Sequence, residues 1–92
     1  MKPIRFSQHA LEQMRLRGAT QQQVEEIIQT SDWSPAKGNR LQARKVFTFG
    51  LPSPINKQIY AFKRIQAIFV DNDDQIVIIT ALVYYLDEED SL

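Results

Sequence analysis

His9, Gln13 and Arg17 stand four residues apart, a spacing that sets them along one line of a helix. An imidazole with a pKa near ~6.5 exchanges protons at neutral pH. A guanidinium meets a phosphate with two parallel hydrogen bonds and stabilises charge that develops there. Arg44, Lys63 and Arg64 lie in segments with strand-like alternation and are candidates for further phosphate contacts. Tyr60, Tyr84 and Tyr85 add groups that stack on bases or donate hydrogen bonds. The chemistry these residues suit is proton exchange beside a bound phosphate, with bases stacked nearby. In it His9 is the acid or base, Arg17 the phosphate ligand, and Gln13, Arg44, Lys63 and Arg64 contact the substrate. Each residue also has a plainer role: His9 as a surface or capping residue, Arg17 as a cation at a helix C-terminus, the strand bases as solvated charge, and the tyrosines as packing.

Other chemistries are excluded by what is absent. One histidine and no cysteine rule out the common zinc patterns and any disulfide framework. No glycine-rich phosphate loop occurs. Ser7 lies close to His9, but nothing supplies the orienting acid and oxyanion donors of a triad. Asp71, Asp73 and Asp74 lack the glycine and closing glutamate of a calcium loop and read as a turn. No cofactor is expected.

The elements that must position these side chains follow from periodicity. Ser7 reads as the N-cap of a helix that ends at about Arg17, with Gly18 as its left-handed stop. Thr20 opens a second helix, and Gln23 completes a capping box. Val24, Ile27 and Ile28 then form its buried stripe. From Leu41 the period becomes two: Leu41, Ala43, Lys45, Phe47 and Phe49 alternate with Gln42, Arg44, Val46 and Thr48. Residues 58–70 read as a second long strand, bulged near Lys63 and Arg64, and residues 75–85 as a third, after the turn Asp71-Asn72-Asp73-Asp74. The expectation is an α+β fold of order ααβββ, two N-terminal helices packed on an antiparallel sheet of three to four strands. It is one domain, with a helical hairpin over residues 1–30, a sheet over 41–86 and an acidic tail over 87–92.

Ninety-two residues, 43% of them hydrophobic and 24% charged, suit one globular core. The net charge of zero is unevenly spread. All eleven basic residues precede residue 71, against four acids, whereas residues 71–92 hold seven acids and no base. Such a split fits a basic face beside an acidic end. The first residues lack the apolar run of a signal peptide, and the apolar stretch Ile76 to Leu86 is too short to span a bilayer as a helix. A cytoplasmic location without membrane association is the expectation.

The last strand is apolar on both faces. Strict alternation puts Ile76, Ile78, Leu82 and Tyr84 on one side, and Val77, Ile79, Val83 and Tyr85 on the other. A strand of this kind belongs in a sheet covered on both sides, and two short helices cover one. A second copy, a partner chain or the loops between residues 31 and 56 are the candidates for the other.

The run Phe6-Ser7-Gln8-His9-Ala10-Leu11-Glu12-Gln13-Met14-Arg15-Leu16-Arg17-Gly18 resembles the opening of a small bacterial domain family known as domain family 4258. That family begins His-Ala, two residues, Arg-Met, two residues, Arg-Gly, and continues with a short helix and β-branched strands. Thr20 to Ile28 and Ile76 to Thr80 are similar to those later parts. The resemblance implies a fold like that of RelE-like and BrnT-like toxins, the metal-independent ribonucleases of toxin–antitoxin pairs. His9 and Arg17 match motif positions. Gln13 departs from the motif, where the family has arginine.

Three functions are compatible with these residues. The first is a ribonuclease-like toxin, a metal-independent endoribonuclease in which the RNA 2′-hydroxyl attacks, with RNA and an antitoxin as partners. The second is a non-catalytic module of the same fold that self-associates as a homodimer or binds another protein through the sheet. Gln13, the zero net charge and the acidic tail Asp87 to Asp90 favour it. A small-ligand enzyme using a cleft between the first helix and the sheet, next to His9, is the third.

Overall fold

The computed structural model describes residues 2–87. Of the expected acidic tail, only Asp87 lies among them. In chain order the elements are β1 (Ile4–Phe6), α1 (Gln8–Arg17), α2 (Gln21–Thr30), β2 (Ser34–Ala36), β3 (Arg40–Thr48), β4 (Phe62–Asp71) and β5 (Ile76–Leu86). The five strands form one sheet in the order β1-β5-β4-β3-β2. β1 runs parallel to β5, and every other pairing is antiparallel.

Both helices begin as their capping residues require. The Ser7 hydroxyl accepts from the Ala10 amide at 3.0 Å, a contact that stabilises a helix start by about 1 kcal/mol. Thr20 and Gln23 form a reciprocal capping box. Gly18 closes α1 with φ of 88°, a backbone shape that suits glycine. A side chain there would also run into the Tyr85 hydroxyl and Pro54.

Each helix packs chiefly on strands. α1 lies against β5, and α2 lies against β3 and β4. Ala10 and Met14 of α1, with Val24, Ile27 and Ile28 of α2, meet Ala43, Ile65, Ala67, Phe69, Ile76, Ile78 and Ala81 in one buried cluster. Trp33 packs at the rim of this core, edge-on to Phe69, with its indole N–H on the Ile28 carbonyl. No helix among the described residues is long and apolar enough to cross a membrane.

The sheet departs from the sequence-based expectation in four ways, the first being that parallel β1 makes it mixed and not wholly antiparallel. It has five strands, not three or four, because two three-residue segments gain ladder partners. Ile4–Phe6 pairs with the start of β5, and Ser34–Ala36 pairs with the start of β3. The second long strand starts at Phe62, with residues before it held only by an isolated Pro52–Ile59 bridge. The irregularity falls in β5, not near Lys63. Ile68 faces Thr80 while Phe69 faces Ile78, so Ile79 is an extra residue. One inserted residue reverses the faces of everything beyond it. Ile76 and Ile78 therefore share the helix-covered side with Ala81, Val83 and Tyr85, while Leu82 and Tyr84 turn to the opposite side with Val77.

Candidate functional site

The side of the sheet under the helices carries polar groups: Lys45 pairs with Glu26 of α2, and the others are spent on holding α1. β1 pairs only with the first three residues of β5, so the strand beyond them would expose a free edge. α1 covers it. The Ser7 hydroxyl donates to the Ile79 carbonyl at 3.1 Å, and Arg17 Nη1 donates to the Ala81 carbonyl at 2.8 Å. At the C-terminus of α1 the last carbonyls need donors. The Tyr85 hydroxyl donates to the Arg17 carbonyl, and Lys63 Nζ donates to the Gly18 carbonyl at 2.7 Å. Lys63 is only 5% exposed and stands 5.0 Å from the centre of the Phe49 ring. Tyr85 packs between Phe49 and Tyr60. Burial pushes the Lys63 amine below its ordinary value and the Tyr85 phenol above its own.

The other side of the sheet carries no helix. Register puts Gln42, Arg44, Val46 and Thr48 of β3 beside Ile68, Gln66, Arg64 and Phe62 of β4. Beyond these lie Thr80, Leu82, Tyr84 and Leu86 of β5. Arg40 shares this side by its two-residue offset from Gln42, and Arg5 by its pairing with Val77. The strand positions of this open face thus hold four arginines and no carboxylate. Most of its side chains are half-buried, with Tyr84 41% exposed, so the loops do not cover it. The Arg64 guanidinium lies 4.6 Å from the centre of the Tyr84 ring, and its Nε has no hydrogen-bond partner.

A polar cavity of about 310 Å³ opens on the same face, lined by Asp32, Ser34, Gln42, Ala43, Arg44 and Gln66. It forms where β2 ends, since β2 pairs with only Arg40, Leu41 and Gln42 of β3. Gln66 Nε2 donates to Gln42 Oε1 at 2.6 Å, and Gln42 Nε2 donates to the Pro35 carbonyl at 3.1 Å. A carbonyl only accepts, so this chain has a fixed direction and leaves Gln66 Oε1 as its free acceptor.

The six residues expected to gather around one substrate are not brought together. His9 is exposed in the first turn of α1, Gln13 is half-buried one turn on, and Arg17 is turned onto β5. Eight residues of helix separate His9 from Arg17 by about 12 Å along the axis. Lys63 faces the helices, whereas its neighbour Arg64 and, across the ladder, Arg44 face the opposite side. Arg44 and Arg64 do share a surface, to which the structure adds Arg5, Arg40 and the cavity residues. The alternation of 40, 42 and 44 was a signal for part of this set. Asp32 and Ser34 carried none, because their place depends on a connection folding back beside β3. Among the described residues no group of His, Cys, Asp and Glu is gathered to hold a metal. No family model, curated protein or solved structure matches the chain, so the open face must be read from its own geometry.

Proposed function

We propose that the chain binds single-stranded RNA across the open face of its sheet. The observation that carries this reading is the charge of that face: four arginines on its strands, with no acid among them. Arginines on strands that carry no carboxylate attract phosphates and release their counterions. Arg64 is stacked on Tyr84, which limits its freedom before any ligand arrives and so lowers the entropy lost on binding. Tyr84 and Phe62 supply aromatic surface for bases. A sheet that presents aromatic and basic side chains to single strands is a recurrent solution for RNA. The proposal is for binding. Cleavage through His9 draws no support from this surface, because α1 packs on the covered side and Arg17 is engaged with the β5 backbone.

Titrating a fluorescent single-stranded RNA with the protein tests the reading. Affinity should fall steeply with added salt, and Arg40→Ala with Arg64→Ala should flatten that slope by about one unit each. His9→Ala should bind as the parent does. Binding that is absent, or unaffected by the two arginine variants, would reject the proposal.

A second reading has its own support. Val46, Phe62, Ile68, Val70, Leu82 and Leu86 occupy the same face and are only half-buried. An apolar sheet surface of this kind also suits a protein, either a second copy or another chain. Light scattering of the purified protein separates the two. A stable dimer that loses RNA affinity as it forms would favour the protein partner.

A further inference from the structure

We infer that the cavity on the open face is a base pocket that selects guanine within a bound RNA strand. The inference rests on the RNA reading and goes beyond it by naming what the face recognises. Two oppositely charged groups, Arg44 and Asp32, line this cavity, yet they form no ion pair with one another. The ion pairs among the described residues are Lys2–Asp71 and Lys45–Glu26. Both cavity charges are therefore available to a ligand that offers complementary edges.

Guanine offers such edges. O6 and N7 are adjacent acceptors, which a guanidinium meets with two parallel hydrogen bonds. N1–H and the N2 amine are adjacent donors, which the two oxygens of a carboxylate accept in the same manner. Cytosine lacks the donor doublet, and adenine and uracil lack both, so each would leave Arg44, Asp32 or both half-satisfied. The floor adds to the selection. The directional chain from Gln66 through Gln42 to the Pro35 carbonyl fixes both amides, so the pocket need not reorganise to receive a planar ring. A volume of about 310 Å³ lies at the small end of ligand pockets, which run from about 300 to 1,000 Å³. That suits one base, with its sugar and phosphate left outside on the arginine-bearing strands. Asp32 thereby gains a purpose on a face otherwise chosen for anions.

The test uses the whole chain and uridine-rich RNA oligomers that differ at one central base: guanosine, adenosine, cytidine, uridine or inosine. Fluorescence anisotropy should show guanosine bound about tenfold more tightly than the other three standard bases. Inosine, which lacks the N2 amine, should fall between. Asp32→Asn, at an exposed position, should remove the guanosine preference while the all-uridine oligomer still binds. Equal affinity for every central base, with RNA binding intact, overturns the pocket and leaves the RNA reading standing. So does an Asp32→Asn variant that strengthens all five oligomers by one common factor, because that is a charge effect alone. Loss of binding to every oligomer, in the parent protein, removes both.

Discussion

Lys63 and Arg64 are neighbours in β4, and the sheet gives them opposite work. Lys63 turns under the helices, loses its water and spends its charge on the Gly18 carbonyl. Arg64 turns to the open face and lies over Tyr84 with no carboxylate partner, although its Nε is buried. The same contrast holds for the two faces as wholes. On the covered face, Arg17, Lys63, Tyr85 and Ser7 all end on main-chain carbonyls, so their polarity holds the fold together. On the open face the arginines have no carboxylate beside them on the strands, and the half-buried apolar groups have no layer above them. A charge already committed to a backbone carbonyl has less to offer a ligand. A charge left without a partner at a surface is where function is to be sought.

Three measurements bear on that division, beginning with the largest effect. Ile65 and Ile68 stand three residues apart in β4, one in the core and one on the open face. Ile65→Ala should cost about 2–5 kcal/mol by urea denaturation, and Ile68→Ala about 1 kcal/mol. Equal costs would mean that the open face is covered in solution. Next come the adjacent cations. Lys63→Met leaves the Gly18 carbonyl without its buried donor, and should cost about 2 kcal/mol of stability with little change in RNA affinity. Arg64→Ala should do the reverse, losing affinity and only about 1 kcal/mol of stability. If both variants lose the same property, the division of labour fails.

The smallest effect is the pH dependence of the covered side. Burial lowers the Lys63 pKa, so below its ordinary value of 10.5 the unfolded chain binds more protons there than the folded one. Stability should therefore rise as pH climbs through the folded value towards 10.5. Tyr85 is shifted upward from 10.0. Its unfolded phenol ionises first, so its contribution should be lost as pH rises above 10.0. The two trends oppose one another, and single variants separate them. Tyr85→Phe should show only the rise and Lys63→Met only the fall, in denaturation curves recorded across alkaline pH. A Tyr85→Phe protein that loses stability over the interval below 10.5 would contradict the burial argument for Lys63.

Local signals in the chain were sufficient for the helices and for β3. Ser7, Thr20, Gln23 and Gly18 act within four residues of themselves, and capping chemistry needs no distant partner. The alternation from Leu41 to Thr48 likewise survives folding unchanged. Ile4–Phe6 and Ser34–Ala36 were not legible as strands, since three residues carry no period. They become strands only where β5 and β3 offer a free edge, and Pro35 is tolerated because β2 is itself an outer strand. The site was less legible than the fold. Arg44 and Arg64 were visible as basic strand residues, but not their shared side with Arg5, nor the arrival of Asp32 at the same cavity.

From its sequence alone this protein has two capped helices, an α+β order, a compact mixed composition and strands apolar enough to build a core. Those properties are set by hydrogen bonds and spacings a few residues long. Tertiary structure decided which side of the sheet the two tyrosines of β5 occupy. The cause is the one extra residue at Ile79, which inverts the parity of β5 and sends Tyr84 to join Arg64 on the open face. Side-chain direction in a strand has a period of two, so a single inserted residue reassigns every group that follows it, and residue types give no sign of where it falls.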